Sequence, residues 1–309
     1  MLRLEKVCCP TCGMDDPTSF QKTHTMMASQ VEIWNFDKCN YCSMVYLNPR
    51  VEEQDIERYY REDYLSYRGG SAWGKYKKLV DSDQLKVDKR RVATLKKYSS
   101  SNLKSVLDVG CGKPTFLKEV QKELSIECTG IDFSDHGWSD ETEKYKSINL
   151  EVGELSNIPE EKKYDAITMW QYMEHDYHPH VTLTKLLKHS HNETRVIVEI
   201  PCIDSDTRKL HGAHWAGYHS PRHTGLFTPE TLKILMDRSG WHMEEAYTYG
   251  TLDPYILDWM SRMEKQNIDW TESMESRFVT FVLGKIVRPS YFWQKRSSKG
   301  FMTAIARPK

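Results

Sequence analysis

The chain has 309 residues, 39% of them hydrophobic, with a formal net charge of −1. That is enough apolar material for a sizeable core in roughly two domains, and the balanced charge argues against the basic footprint of a nucleic-acid binder. No run of about 18 apolar residues occurs, so no membrane span is expected. The opening M-L-R-L-E-K-V-C-C lacks a signal-peptide core, which makes a cytoplasmic protein the expectation.

Four of the eight cysteines form two C-x-x-C pairs, Cys9 with Cys12 in C-P-T-C-G and Cys39 with Cys42 in C-N-Y-C. Two such knuckles, 26 residues apart, match a tetrahedral four-thiolate zinc site on a pair of hairpins. Such a zinc is structural, because four protein thiolates leave no coordination position for chemistry. The alternatives are disulfides, disfavoured by the reducing compartment that the other cysteines suggest, and iron in a rubredoxin-like site. Cys8 is read as a non-ligand, since Cys9 gives the regular knuckle. Further on, Asn48 and Pro49 end a strand and the acidic run from Glu52 begins a helix. Gly69, Gly70 and Gly74 interrupt the helical pattern, and a charge-laced helix, read as a solvated face, follows from about Lys75 to Lys97.

From Ser105 to Leu117 the chain reads S-V-L-D-V-G-C-G-K-P-T-F-L. Val106, Leu107 and Val109 frame Asp108 in a buried strand, and Gly110 and Gly112 turn it into a helix. Glycine has no Cβ and accepts positive φ, so the backbone can approach a ligand closely there. The helix behind it offers free N–H groups. The next strand closes on Asp132 in G-I-D-F, about 20 residues past the glycines, where an acid can accept hydrogen bonds from a ribose diol. An ordinary turn is the plainer reading of G-x-G alone; Asp132 moves the balance to a cofactor site.

V-L-D-V-G-C-G followed by G-I-D-F resembles the first two motifs of the class I S-adenosylmethionine-dependent methyltransferases, and not the G-x-G-x-x-G of dinucleotide dehydrogenases. The resemblance implies that Gly110, Cys111 and Gly112 approach the methionine part of the cofactor, that Asp132 holds its ribose, and that Asp108 orders the turn. Pro114 stands where the family usually has a third glycine, and proline suits the first turn of a helix. The two knuckles and the block S-M-V-Y-L-N-P-R resemble the N-terminal zinc ribbon of a subset of bacterial methyltransferases. Members of that subset act on deoxysugars or sit among surface-polysaccharide and natural-product enzymes. The likeness runs from about Cys9 to Gly240. In related enzymes the helices before the first strand form a lid, which would bring Tyr67 or Tyr76 to the active site; simple packing is the alternative.

Strands at 104–109, 126–131, 148–152, 164–169, 194–200 and 241–248 alternate with helices at 113–124, 138–146, 180–190 and 228–239. The alternation predicts an α/β, Rossmann-like, doubly wound parallel sheet with right-handed crossovers and ligands at the carboxyl ends of the strands. The final G-F-M-T-A-I-A-R-P-K fits the antiparallel last strand of the seven-stranded methyltransferase type. The expected division is a zinc ribbon at 1–50, a helical linker or lid at 51–100, the S-adenosylmethionine-binding core at 101–250, and C-terminal helices with the final strand at 251–309.

At the tip of the fourth core strand, Met169, Trp170 and Gln171 are expected to border adenine or the methyl group, with Glu174 and His175 one turn later. Many class I methyltransferases carry an E-H pair here; otherwise Glu174 caps a helix and His175 is a satisfied partner. The segment from Cys202 to Thr228 is a long polar loop holding His211, His214, His219, His223, Trp215, Tyr218 and Arg222. A loop of that length in a compact domain is usually functional. Its P-R-H-T-G-L-F-T again resembles the zinc-ribbon subset, and Thr228 with Pro229 makes a natural helix start.

Catalysis is expected of His175, His223, Glu174 and His219. In the leading mechanism His175 or His223 takes a proton from a substrate hydroxyl, or from carbon next to a carbonyl, as methyl moves in line from the sulfonium. In the second, Glu174, His175 and His223 bind a divalent cation, although Gln171 stands where E-x-x-E-H methyltransferases have their first glutamate. Positioning alone is a third route. The resemblance implies a small-molecule acceptor, an activated sugar or natural-product intermediate. The rival is an RNA- or protein-binding zinc-ribbon protein with an inactive methyltransferase domain, to which Pro114 and Gln171 point. The patches P-Y-I-L-D-W-M and F-V-T-F-V-L-G-K-I-V read as helices over the sheet and cleft, with a membrane surface or a homodimer contact as outlying uses.

Overall fold

The two C-x-x-C segments fold alike. The N–H of Gly13 donates to the Cys9 carbonyl at 2.8 Å and that of Ser43 to the Cys39 carbonyl at 2.9 Å. Gly13 and Ser43 both take the left-handed conformation, at φ 79° and 66°. Twin turns thereby aim four thiols at one point: Cys9 Sγ lies 3.5 Å from Cys42 Sγ, and Cys12 Sγ 3.4 Å from Cys39 Sγ. A tetrahedral zinc with bonds of about 2.3 Å has sulfur–sulfur edges of about 3.8 Å, so the four-cysteine cluster fits a zinc ribbon. Cys8 is exposed and stands outside it.

The computed structural model describes residues 2–28, 32–60, 64–288 and 290–309. Its strands are β1 (Leu4–Glu5), β2 (Pro17–His24), β3 (Ile33–Cys39), β4 (Val45–Leu47), β5 (Arg50–Val51), β6 (Ser105–Val109) and β7 (Glu127–Asp132). β8 (Asn149–Val152), β9 (Ala166–Trp170), β10 (Arg195–Pro201), β11 (Gly225–Leu226), β12 (Trp241–Tyr247) and β13 (Phe301–Pro308) follow. The helices are α1 (Leu65–Arg68), α2 (Lys77–Tyr98), α3 (Thr115–Leu124), α4 (Thr142–Tyr145) and α5 (Pro179–Leu187), then α6 (Asp206–His211), α7 (Pro229–Arg238), α8 (Tyr255–Lys265), α9 (Phe278–Val287) and α10 (Ser290–Trp293).

Continuous apolar runs such as β6 and β9 suit strands covered on both faces, and every residue of these two is buried. They lie at the centre of a seven-stranded sheet ordered β12-β13-β10-β9-β6-β7-β8. Neighbours from β10 to β8 pair in parallel, and the last strand runs antiparallel to both β10 and β12. This is the α/β methyltransferase architecture expected from the sequence. A second sheet, ordered β11-β4-β3-β2, belongs to the ribbon but takes its edge strand from the polar loop, with Gly225 opposite Tyr46 and Leu226 opposite Val45.

Several expectations are corrected. The helix from Glu52 is a run of 3-10 turns over Glu53–Tyr59, and its continuation through 61–63 lies outside the described residues. The helix at 138–146 is a 3-10 turn followed by the single turn α4. The charge-laced α2 is solvated along most of its length but also packs one side, burying Val87, Asp88, Val92 and Leu95. The segment at 202–228 is not loop throughout: it contains α6, two 3-10 turns and β11, and His219, Ser220, Arg222 and His223 in it are buried. Helix α9 stacks its Phe278 on Tyr76 at 4.0 Å, away from the cleft, so of the two lid tyrosines only Tyr67 comes to the site.

Candidate active site

The carboxyl ends of β6, β7 and β9 converge on the glycine turn. Gly110 and Gly112 have φ 71° and 47°, and the N–H groups of Gly110 and Cys111 both donate to the Ile131 carbonyl, at 2.8 and 3.1 Å. The Asp132 carboxylate accepts from the Gly112 N–H at 2.8 Å, so the acid at the tip of β7 grips the turn itself. Burial raises its pKa. Asp108 does not reach the turn by any bond among the described residues; it accepts the Thr168 hydroxyl at 2.6 Å, and burial pushes its pKa up to about 7. Pro114 is the N-cap of α3, one residue ahead of the helix. Trp170, at the carboxyl end of β9, is buried, with Phe116 edge-on at 5.4 Å and the Arg91 guanidinium 5.2 Å from its ring.

The two glycines do different jobs. A Cβ on Gly110 would stand 2.3 Å from the Tyr172 ring, whereas one on Gly112 meets nothing within 4 Å. Gly110→Ala is therefore expected to cost about 3 kcal/mol of stability from left-handed strain and overpacking. Gly112→Ala should cost only about 1 kcal/mol from strain. It should nonetheless block the donor, because its methyl fills the open space beside the turn. Thermal melts and titration with S-adenosylhomocysteine read the two effects separately.

Asp108 supplies a pH dependence. Its folded pKa of about 7 exceeds the ordinary carboxylate value of about 3.9, so from about pH 4 to about pH 7 the folded chain keeps a proton that the unfolded chain has released. Stability contributed by the protonated acid is complete below that window and lost as pH rises through it. Asp108→Asn keeps an acceptor for Thr168 without the titration. Its melting temperature relative to the wild type should rise by about 5 °C between about pH 5 and about pH 8.

Next to the glycine turn lies a group of imidazoles. His175, His219 and His223 each present a ring nitrogen within 4.8 Å of the others, with ring centroids 4.4 Å apart for His175 and His223 and 4.8 Å for His219 and His223. The tight turn after His219 brings two of them together: His219 sits at φ 39°, and its carbonyl accepts from the N–H groups of Arg222 at 2.8 Å and His223 at 3.3 Å. Burial holds His175 down to about 4 and His219 and His223 well below the usual histidine value, so all three are neutral at pH 7. Glu174 does not join them. Its carboxylate is buried with no hydrogen-bond partner among the described residues, and burial pushes it up to about 8. His211 pairs instead with Asp258 at 2.8 Å, and His214 lies against His24.

Aromatic rings join the two halves of the site. Tyr60 meets Phe133, the residue after Asp132, edge-on at 5.4 Å, while its hydroxyl lies 2.9 Å from His175 Nδ1. Tyr64 reaches His219 Nε2 at 3.3 Å, and Tyr67 stacks on His136 at 5.3 Å. Arg222, 2% exposed, donates to the carbonyls of Tyr59, Met26 and Met27 at 2.7, 2.8 and 3.2 Å. It thereby ties the tyrosine segment to the ribbon. Sequence reasoning missed Tyr60, Tyr64 and Phe133; the cue available was the clustering of tyrosines in Y-Y-R-E-D-Y just after the ribbon.

A parallel sheet with an antiparallel last strand, and a glycine turn gripped by the acid of the next strand, define a methyltransferase domain. The family described as a methyltransferase domain matches residues 83–246, about half of the chain, and the protein belongs to that family, the S-adenosylmethionine-dependent methyltransferases. None of the curated proteins matches it. Among solved structures it is similar to a chain of the complex between the Haloferax volcanii Trm112 methyltransferase activator and a methyltransferase, at 14% identity and a TM-score of 0.50, covering 78% of this chain and 95% of that one. A SAM-dependent methyltransferase from Archaeoglobus fulgidus aligns at 20% identity and a TM-score of 0.45, covering 71% and 94%. At these identities the likeness is one of fold. Among the described residues no helix is long and apolar enough to cross a membrane.

Proposed function

We propose that the chain transfers methyl from S-adenosylmethionine to a small-molecule acceptor seated between the glycine turn and the three histidines. The donor is held by Gly110, Cys111, Gly112 and Asp132, with Asp108 and Trp170 supporting the strands behind them. The acceptor lies under Tyr60, Tyr64 and Tyr67. His175 or His223 takes its proton as the methyl group moves in line from sulfur; Glu174, apart from the imidazoles, supports the loop that carries them. The single observation that carries the reading is Tyr60, one ring in contact with both Phe133 at the donor strand and His175 in the imidazole group. A neutral imidazole has the free lone pair that a base requires.

The resemblance of the ribbon and of P-R-H-T-G-L-F-T supports an activated sugar or a natural-product intermediate as the acceptor. The singly placed thiols of Cys111, Cys128 and Cys202 suit the reducing cytoplasm. We take 1–50 as the ribbon and 51–100 as the lid. On this reading 101–250 is the donor-binding core, and 251–309 completes it. A panel of nucleotide-linked keto- and hydroxy-sugars incubated with labelled donor tests the proposal. Turnover is expected on at least one, with His175→Ala and His223→Ala each slowing it by about 100-fold or more at unchanged donor affinity. Tight donor binding with no transfer to any small molecule would favour the rival, a binding protein whose methyltransferase domain is inactive.

A further inference from the structure

The imidazole group differs in composition from the carboxylate-containing cation site expected from the sequence. We propose that His175, His219 and His223 form a second metal site, separate from the four thiolates, that takes a zinc-like divalent cation through three imidazole nitrogens. Hydrogen bonds to backbone carbonyls already select the tautomer that ligation requires at two of the three histidines. His223 Nδ1 lies 2.8 Å from the Gly217 carbonyl, which can only accept, so Nδ1 carries the proton and Nε2 the lone pair. His175 Nδ1 lies 3.2 Å from the Arg222 carbonyl and is fixed in the same way, with the Tyr60 hydroxyl as its second partner. His219 uses Nε2 toward Tyr64, leaving Nδ1. A backbone carbonyl or hydroxyl on the non-ligating nitrogen is the outer support that metal-bound histidines normally have.

One ring nitrogen from each of the three histidines lies within 4.8 Å of those of the other two. A cation about 2.1 Å from each would draw them to about 3.4 Å, a closure that ring rotation in this loop can supply. The charge that opposes a cation here is Arg222, whose Nε, Nη1 and Nη2 are all committed to backbone carbonyls. Neutral imidazoles of this kind suit zinc, cobalt, nickel or iron rather than magnesium or calcium. Because all three ligands are uncharged, the cation keeps its full double charge, and a fourth position stays open for an oxygen.

The consequence for chemistry rests on the function proposed above. An acceptor hydroxyl at the open position loses its proton to solvent. Its oxygen electron pair then forms the O–CH3 bond as the S–CH3 bond breaks, and the sulfur keeps that pair as a neutral thioether. The histidines then act as ligands in place of a base.

The test uses the full chain purified with its ribbon zinc. Dialysis against Co2+ should load a second equivalent of metal per chain, counted by mass spectrometry, with visible d–d absorption and without the thiolate-to-cobalt charge-transfer band that ribbon substitution would give. His219→Ala and His223→Ala should abolish the second equivalent and keep the first, Glu174→Gln should keep both, and Tyr60→Phe should weaken the second about 10-fold. A single equivalent in the wild-type protein at millimolar Co2+, a second equivalent that survives both histidine variants, or a charge-transfer band would each overturn the site. The wild-type stoichiometry and spectrum decide the matter even where a variant folds poorly. A second equivalent that leaves turnover absent supports the site while defeating the methyl-transfer reading; turnover with one equivalent does the reverse.

Discussion

Asp132→Ala is expected to weaken S-adenosylhomocysteine binding by about 100-fold while leaving the melting temperature close to that of the wild type. The carboxylate accepts from the Gly112 N–H at 2.8 Å and, more loosely, from the Ser134 N–H at 3.4 Å, so one oxygen fixes the turn and the other, on the function proposed above, is the one left for the ribose diol. Hydrogen bonds to a charged group contribute roughly 1.5–3 kcal/mol each, and about 2.7 kcal/mol corresponds to 100-fold in affinity. Stability should survive because the turn keeps its two bonds to the Ile131 carbonyl, and because burial already raises the pKa of this acid, so removing it also removes an unfavourable buried charge. Asp132→Asn, which keeps an acceptor for Gly112, should lose less, about 10-fold. Calorimetric titration alongside thermal melts checks both. Affinity unchanged within about two-fold would mean that the donor is held elsewhere.

The glycine turn and the acid that grips it were legible in the sequence because they are local. Eight consecutive residues, Ser105 to Gly112, build the strand and turn, and Asp132 closes the very next strand. The knuckles were legible for the same reason: two turns of identical hydrogen bonding each place a pair of thiols. The imidazole half was legible only as a list of candidates. His175 comes from the tip of β9, and His219 and His223 from a long polar loop read as functional but without a shape; what brings them together is the docking of that loop onto the ribbon through β11. Glu174 and His175 are adjacent in sequence and so invited a shared role, yet only His175 faces the other imidazoles. Arg222 reads as an ordinary loop cation, and only three carbonyls contributed by two distant segments make its burial tolerable. Tyr60 and Tyr64 stand in the charged stretch after Glu52, which was read only as a helix. In each case the missing information is which distant backbone satisfies a polar group, and composition carries none of it.

The ribbon's metal should therefore matter for catalysis although it lies outside the chemistry. Removing it, by chelation or by Cys39→Ser, is expected to lower the melting temperature by more than about 10 °C, because binding of a structural zinc by four thiolates is coupled to folding with roughly 10–16 kcal/mol of apparent free energy. The consequence for the site follows from the contacts between ribbon and loop. The Met26 N–H donates to the Ser220 carbonyl at 2.9 Å and the Leu47 N–H to the Thr224 carbonyl at 3.0 Å. Thr23 and Ser220 share a buried hydroxyl pair at 2.6 Å, and Arg222 donates to Met26 and Met27. All of these anchors lie within three residues of His219 or His223, so freeing the ribbon frees two of the three imidazoles. A misplacement of about 1 Å costs on the order of 100-fold in rate, and transfer should fall by at least that much. Donor affinity should fall far less, since Gly110, Gly112 and Asp132 hang from the central sheet with no bond to the ribbon among the described residues. Zinc-stripped protein that loses transfer and donor binding in equal measure would instead mean that the ribbon supports the whole fold and not the acceptor half in particular. Unchanged melting and turnover after complete zinc loss would remove the metal from the argument altogether.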